Sequence, residues 1–219
     1  MAVRGTPLGQ KPRSGTLSAS LTLTRYLLQH SMTRFLHVLA CLSALAALAI
    51  GCGSSDPESA APSEAATREA LAGAPPPLAA LHEQANQLLD GGPDAFEARL
   101  RELRGYPVVV NKWGSWCDPC RREFPYFQSQ AIEHGKEIAF LGVDAAYDPE
   151  PEARKLLAAL PLSYPSYKDP DLKVSAVFSG QAVTPVTAFY DSKGKLAYMK
   201  QGEYPSERAL AEDIERYAR

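Results

Sequence analysis

The sequence has few of the residues that build metal sites or disulfide scaffolds, and it has no excess of positive charge. It contains four cysteines and four histidines in 219 residues, and four cysteines are too few for a disulfide-stapled scaffold. The formal net charge of −2 gives no reason to expect a nucleic-acid partner. No segment reads as an internal repeat. The length and the 45% hydrophobic content instead fit one ordinary globular domain with additional segments.

A run long enough for a typical membrane-spanning helix is also lacking. Residues 35–50 are almost wholly apolar, but a spanning helix needs roughly 20 such residues. Arg34 supplies a short positive region before the run, and a small residue, Gly51, follows it. Charge, a short apolar run and a small residue at the cut are typical of a signal peptide, which we predict over residues 32–51.

The cysteine that follows Gly51 predicts a lipid anchor. Cys52 directly after a small residue resembles the lipobox of bacterial lipoproteins, in which the thiol is diacylated and the signal is then removed. The sequence departs from that box at Ala49, where leucine is usual. The resemblance implies lipidation of Cys52 and attachment to a membrane surface, with a simple N-terminal membrane anchor or a secreted protein as the alternatives.

The remaining segments divide the chain further. Residues 1–31 resemble neither signal nor core, and we interpret them as a non-native extension before a true start at Met32. Residues 52–77 are rich in Ser, Ala, Pro and Glu and lack aromatics, so they cannot bury enough apolar surface to offset their ordering entropy. We predict a flexible linker there and a folded domain over residues 78–219.

Hydrophobic periodicity and turn residues predict the elements of this domain. In chain order they are helices over 78–89 and 94–103, a strand over 107–113, a helix over 118–134, a strand over 137–143, a helix over 150–160, strands over 186–190 and 195–199, and a final helix capped by Ser206. Strand–helix–strand alternation requires parallel pairing with right-handed crossovers, and the last two strands read as an antiparallel hairpin. The sequence therefore predicts an α/β sandwich with a mixed central sheet of about four strands.

The pair Cys117 and Cys120 lies where a predicted strand meets a predicted helix. Unpaired N–H groups and the positive end of the helix dipole at this point favour a thiolate at Cys117, so we expect its pKa to lie below the free value of roughly 8.5. Cys120 comes three residues after Cys117, which places the two sulfurs on one helix face, and Pro119 suits a first helical turn. The pattern indicates an exposed attacking thiol and a more buried resolving thiol.

Other uses of two cysteines are weighed against this interpretation. Structural zinc needs about four ligands, and there is no second C-x-x-C. Covalent haem needs histidine after the second cysteine, where Arg121 stands, and the P-x-x-x-T-x-x-C motif of peroxiredoxins is absent before Cys117. A copper carrier that uses both thiols and a non-catalytic structural disulfide remain open.

The residues around the pair resemble a known family. Trp116 precedes Cys117 as in W-C-x-x-C, residues 121–125 match R-x-E-x-P, residues 183–185 match the cis-proline loop, and residues 111–113 match N-F-W with lysine at the usual Phe position. Residues 90–219 thus resemble the extracytoplasmic TlpA/ResA/CcmG type of thioredoxin-fold protein. This resemblance implies a thioredoxin-like α/β/α sandwich with no metal and no other cofactor.

The resemblance also implies roles for single residues. Cys117 would attack a substrate disulfide, and Cys120 would resolve the mixed disulfide. Pro185 would be cis and lie against the cysteines, which leaves Thr184 free to pair with a substrate strand. Trp116 would shield the disulfide and form part of the docking surface.

A carboxylate one helical turn beyond Cys120 completes the candidate set. In ResA-like proteins a glutamate at the position of Glu123 tunes the thiols, although a solvated helix-face carboxylate is the plain alternative. Asn111 stands where classical thioredoxins have a buried aspartate that assists proton transfer. Since an amide cannot titrate, we hypothesise that Glu123 takes over this role.

The charges near the cysteines favour a reducing couple. Asp118 and Glu123 place negative charge near the thiols, and like charges disfavour a thiolate. The resemblance then implies a membrane electron donor of the CcdA type and protein disulfide substrates in exported proteins, such as apocytochromes c. A disulfide-forming oxidase or isomerase and a membrane-anchored copper-binding module are the alternative functions.

Overall fold

The computed structural model describes residues 62–180 and 182–219. They fall within a unit formed by residues 59–219. The predicted signal peptide, Cys52 and the proposed extension over residues 1–31 lie outside the described residues. In the part that is described, no helix is long and apolar enough to cross a membrane.

The described residues form seven helices and six strands. In chain order they are α1 (Glu64–Leu71), α2 (Pro76–His82), β1 (Leu88–Leu89), α3 (Gly92–Glu102), β2 (Val108–Trp113), α4 (Asp118–His134), β3 (Ala139–Asp144), α5 (Glu150–Ala159), β4 (Ser166–Lys168), α6 (Lys173–Ala176), β5 (Val186–Tyr190), β6 (Leu196–Gln201) and α7 (Glu207–Tyr217).

The strands form one mixed sheet in the order β1-β4-β3-β2-β5-β6. The pairs β1–β4, β4–β3 and β3–β2 are parallel, whereas β5 runs antiparallel to β2 and β6 antiparallel to β5. The predicted thioredoxin-like α/β/α sandwich with a mixed central sheet is therefore confirmed. The predicted number of about four strands is wrong, because β1 and β4 have only two and three residues and show no apolar run of their own.

Alternation along the strands divides the core into two layers. On one face of the sheet, Val109 and Trp113 of β2 pack with apolar residues of α4, α5 and α7. On the other face, Val108 and Val110 pack with apolar residues of α2, α3 and α6. The central strands β2, β3 and β5 are buried along their whole length, so the loop that follows β2 starts from a fully buried strand.

The flexible linker predicted over 52–77 is wrong for the part of it that the structure describes. Residues Glu64–Leu71 form α1, whose cap Ser63 accepts a hydrogen bond from the Ala66 N–H at 3.2 Å. Leu71 is 6% exposed and lies against Gly135, where an added Cβ would come within 2.6 Å of Leu71 Cδ2. The average composition of the segment gave no indication of this short helix. Its buried residue is Leu71, which packs it against the domain.

The helix predicted over 78–89 is shorter than expected and begins earlier. It ends at His82, and the chain then turns through Asn86, whose φ of 61° lies in the left-handed region. The Asn86 side chain donates to the Leu157 carbonyl at 3.1 Å and accepts from the Leu162 N–H at 3.0 Å. These tertiary hydrogen bonds stabilise the turn that the apolar periodicity did not reveal.

We expect Leu71→Ala to destabilise the domain, because α1 is anchored to α4 through this side chain. Truncation of a buried leucine costs about 2 kcal/mol or more. The matched control is Leu196→Ala on β6, since Leu196 is among the exposed apolar residues. Urea unfolding measures both variants, and an equal, small loss of unfolding free energy in the two would restore the linker interpretation.

Candidate active site

Cys117 is the N-cap residue of α4. Its backbone is extended, with φ −92° and ψ 97°, and its Sγ accepts a hydrogen bond from the Cys120 N–H at 3.2 Å. The first-turn N–H groups of a helix have no partner within the helix, so the sulfur serves as the cap. The same N–H groups and the helix dipole stabilise negative charge on this sulfur when the thiol ionises.

Cys117 and Cys120 form a disulfide. Cys117 is 4% exposed, and Cys120 is fully buried at 0%. The order of exposure matches the predicted attacking and resolving roles, although Cys117 is more enclosed than expected. An incoming sulfur nucleophile or disulfide would therefore reach Cys117 first.

The strand register brings Pro185 beside the cysteine loop. The Thr184–Pro185 peptide bond is cis, as the resemblance implied. Val186 pairs with Lys112 in the antiparallel β2–β5 ladder, so Pro185 lies across from the end of β2, where the loop to Cys117 begins. The Pro185 carbonyl accepts the Gly202 N–H at 3.0 Å, which ties this peptide to the turn that follows β6.

Two exposed apolar side chains lie close in sequence to the cysteines and to the cis-proline: Trp116 precedes Cys117, and Val183 stands two residues before Pro185. Trp116 is 52% exposed and Val183 is also exposed. The indole of Trp116 lies over Gly114, where an added Cβ would meet Trp116 Cε2 at 2.9 Å. Thr184 is half-buried, and its hydroxyl is buried with no partner among the described residues. A docking role for Trp116 and Thr184 stays a prediction.

Glu123 lies one turn along α4 on the buried face that also carries Cys120. It is fully buried, so the plain alternative of a solvated carboxylate does not hold. Oε2 accepts the Tyr204 N–H at 3.0 Å, while Oε1 has no partner among the described residues. Burial raises the pKa of Glu123 to about 7, against the opposing effects of the Tyr204 N–H and of Lys200.

Lys112 departs from the usual aromatic residue and is nevertheless buried. Burial lowers its pKa, and the charge of Asp169 opposes the shift. Asp169 in turn accepts hydrogen bonds from the Val174 and Ser175 N–H groups at the start of α6, at 2.8 and 2.9 Å. The lysine thus places a buried charge near Asp169, on the strand position that pairs with Val186.

Sequence reasoning missed a carboxyl group that fixes the loop before Cys117. Both the N–H and the hydroxyl of Ser115 donate to Asp148. Asp144, at the end of β3, is buried, and burial together with its hydrogen bond to Asp148 raises its pKa to about 9. The usable signal was the position of Asp144, because the carboxyl ends of the parallel strands β2 and β3 meet at one edge of the sheet.

The remaining predicted site residue, Cys52, lies outside the described residues. Within residues 62–180 and 182–219, no group of three or more His, Cys, Asp and Glu side chains is arranged to hold a metal ion.

Comparison with known proteins matches the AhpC/TSA family over residues 86–199. The chain belongs to this family. The thiol-disulfide oxidoreductase ResA of Geobacillus thermodenitrificans is 30% identical over 112 residues, which are 51% of this chain and 63% of the relative. ResA of Bacillus cereus is 30% identical over 112 residues, 50% of this chain and 62% of the relative. The matches thus span about 60% of the length of these relatives, and the predicted resemblance to ResA-like proteins is confirmed.

A solved structure of a putative thiol:disulfide interchange protein DsbE from Chlorobium tepidum is also similar to this AhpC/TSA-family chain. Its TM-score is 0.49 and its sequence identity 26%, over 53% of this chain and 83% of that one. The cysteine loop and the cis-proline lie within residues 86–199, the part of the chain that the family covers.

The buried carboxyl at the end of β3 predicts a loss of stability with rising pH. The raised pKa of Asp144 in the folded state means that, between about pH 4 and pH 9, the folded chain holds a proton that the unfolded chain has released. The unfolding free energy therefore falls as pH rises through this window, by up to about 1.4 kcal/mol for each pH unit.

We expect Asp144→Asn to flatten this dependence, and urea unfolding from pH 5 to pH 8 measures it. The control is Asp94→Asn on the exposed first turn of α3. Glu123, whose pKa is also raised, contributes a slope of the same sign below about pH 7, so the variant retains part of the dependence. A slope equal to that of the wild type would contradict the assignment to Asp144.

Proposed function

We propose that this protein is an extracytoplasmic thiol–disulfide oxidoreductase that reduces disulfides in exported proteins. The observation that carries the proposal is the Cys117–Cys120 disulfide at the N-terminus of α4, beside the cis peptide of Pro185. Two sulfurs that differ in exposure, with helix N–H groups directed at the more exposed one, suit an attacking and a resolving thiol. The names of the ResA relatives agree with this chemistry.

The reaction begins from the reduced protein. The Cys117 thiolate attacks one sulfur of the substrate disulfide, and the substrate S–S bond breaks as the mixed disulfide forms. The other substrate sulfur leaves as a thiolate and takes up a proton. Helix α4 supports this step, because the hydrogen bond from the Cys120 N–H to Cys117 Sγ favours the ionised sulfur.

The second step regenerates the disulfide of the structure. The Cys120 thiol loses its proton and attacks Cys117 Sγ, and the second substrate sulfur is released as a thiolate. Two electrons have then passed from the cysteine pair to the substrate. An external dithiol, which we propose is a membrane protein of the CcdA type, must reduce the Cys117–Cys120 disulfide before the next cycle.

Glu123 is the group that we propose removes the proton from Cys120. It lies on the same buried helix face, and its pKa of about 7 allows it to accept and release a proton near neutral pH. Asn111, on the neighbouring strand β2, cannot titrate and cannot serve as the base. The position of Glu123 supports the hypothesis made from the sequence.

The substrate and the site of action are further parts of the proposal. Oxidised cysteine pairs of exported proteins, such as apocytochromes c, suit a reductant outside the cytoplasm. Attachment to a membrane through a lipid on Cys52 would keep the domain close to a membrane electron donor. Asp118 in the first turn of α4 adds negative charge near Cys117, which supports a reducing poise.

The reduction potential of the Cys117–Cys120 couple tests the direction of electron flow. We expect a value near or below that of thioredoxin, roughly −270 mV, in glutathione and dithiothreitol redox buffers. A value near −120 mV, typical of strong periplasmic oxidants, would show that the protein makes disulfides instead. The control Cys120→Ser abolishes the couple.

The same variant tests the roles of the two sulfurs. Cys120→Ser leaves the attacking thiol without a resolving partner, so we expect it to accumulate mixed disulfides with substrate proteins that non-reducing electrophoresis detects. Cys117→Ser should accumulate few, because Cys120 is fully buried. Equal trapping by the two variants would contradict the assignment of Cys117 as the nucleophile.

Mass spectrometry of the mature protein tests the anchor and the start site. We expect an N-terminal peptide that begins at Cys52 and carries a diacylglycerol group, and a precursor without peptides from residues 1–31. An unmodified Cys52 within a longer N-terminal peptide would favour a simple membrane anchor. Any peptide from residues 1–31 would contradict a start at Met32.

A further inference from the structure

Several buried polar atoms near the cysteine helix lack hydrogen-bond partners. Among the described residues, none pairs with the Asn111 amide atoms Nδ2 and Oδ1, with Glu123 Oε1 or with the Tyr164 hydroxyl. A buried polar group without a hydrogen-bond partner destabilises the folded state, and such groups are uncommon in native proteins. Four such atoms on three residues indicate side chains that are arranged to stabilise a charge present in only one protonation state.

The three side chains belong to one region of the core. Asn111 lies on β2, on the same face as Trp113, and Glu123 extends from α4, which covers that face. Tyr164 is packed in the same core layer, with its ring 5.9 Å from the ring of Phe140. They therefore converge between the sheet and the helix that carries both cysteines.

Electrostatics link Tyr164 to both neighbours. Burial raises the pKa of the Tyr164 phenol, the charge of Glu123 raises it further, and the amide of Asn111 opposes the rise. The amide thus lies near the phenol, although the two do not reach hydrogen-bonding geometry. Because its pKa is raised, the phenol stays protonated at neutral pH and can only serve as a neutral O–H donor to a nearby anion.

We propose that Tyr164 is a positioning residue for Glu123, whose hydroxyl, with the Asn111 amide, stabilises the carboxylate each time the proton leaves it. The donor reaches Oε1 directly or through one water molecule, and Oε2 keeps its bond to the Tyr204 N–H. Proton transfer between Cys120 and Glu123 then needs no large movement of the backbone. The inference deepens the proposed function and rests on it for its role in catalysis.

The other charges around Glu123 are already engaged. Lys200 faces it from β6, lowers its pKa and donates to the carbonyls of Gly202 and Glu203 at 2.8 Å. Glu203 raises the pKa of Glu123 and pairs with Arg122 at 2.6 Å.

Two tyrosine phenols also interact with Glu123, because its charge raises the pKa of both Tyr204 and Tyr164. The Tyr204 hydroxyl donates to Asp213 at 2.9 Å. In the reduced protein the two thiols lie on the same helix as Glu123. The Tyr164 hydroxyl and the Asn111 amide are thus the donors of this group that have no hydrogen-bond partner among the described residues.

The test is the titration of Glu123 in the full chain, followed by carbon-13 NMR of labelled glutamate carboxyl groups. Glu123→Gln identifies its signal. We expect Tyr164→Phe to move the midpoint of this signal toward higher pH by about one pH unit, the effect of one hydrogen bond to a carboxylate. Asn111→Ala should move it in the same direction.

Tyr190→Phe is the matched control, because Tyr190 is a buried tyrosine in the core layer on the opposite face of the sheet. The titration midpoint of Glu123 in Tyr190→Phe should equal that in the wild type. Thermal unfolding checks that each variant is folded. A Tyr164→Phe midpoint that is unchanged or moves toward lower pH overturns the proposal. If Tyr164→Phe does not fold, Asn111→Ala decides by the same criterion.

Insulin reduction measured across pH then connects the titration to catalysis. We expect the rising limb of the rate to move toward higher pH in Tyr164→Phe, and Tyr164→Phe to add nothing in a Glu123→Gln background. A full effect in that background overturns the proposal, since Tyr164 would then act independently of Glu123. A wild-type chain that shows no exchange activity refutes the proposed function instead, whereas the NMR shift would still report on Tyr164.

Discussion

The junction between β2 and α4 is the constraint on which the rest of the site depends. A strand that is buried along its whole length delivers the chain to Cys117, and a helix begins there with the sulfur as its cap. Helix α4 places Cys120 and Glu123 relative to this junction, and the ladders of β2 place the groups on the neighbouring strands. The antiparallel ladder sets Pro185 beside the loop, and the parallel ladder sets Asp144 next to Trp113. A shift in either register would separate groups that the chemistry needs together.

Two buried carboxyl groups show how this fold supports proton chemistry at a cost in stability. Both Glu123 and Asp144 hold their protons to a higher pH in the folded chain than in solution, mainly because they are buried. The burial that raises the pKa of Glu123 to about 7 also destabilises the folded state when the carboxyl ionises. Glu123 differs from Asp144 in its place on the cysteine helix. Glu123 is thus suited to exchange protons with a thiol, while Asp144 is hydrogen-bonded to Asp148, the group that holds the loop before Cys117.

What the sequence predicts well is local, and what it misses is tertiary. The apolar run of β2, the proline in the first turn of α4 and the Ser206 cap are short-range signals, and each is found where the sequence places it. The short edge strands β1 and β4 exist because they pair with neighbours, so their two and three residues carry no pattern of their own. The contact between Ser115 and Asp148 joins residues 33 apart. The cysteine pair, the cis-proline and Glu123 could therefore be identified from the sequence, but the contact of the loop with Asp148 could not.

The bonds from Ser115 to Asp148 have a consequence for the redox cycle. Reduction removes the covalent link between Cys117 and Cys120, and an unsupported loop would then gain conformational freedom that reoxidation must take away again. Here the loop stays tied to the segment that follows β3 through two hydrogen bonds that do not involve sulfur. We expect these bonds to limit the conformational entropy that the loop gains on reduction. The poise of the couple should then depend more on the electrostatics of the thiols than on ordering of the chain.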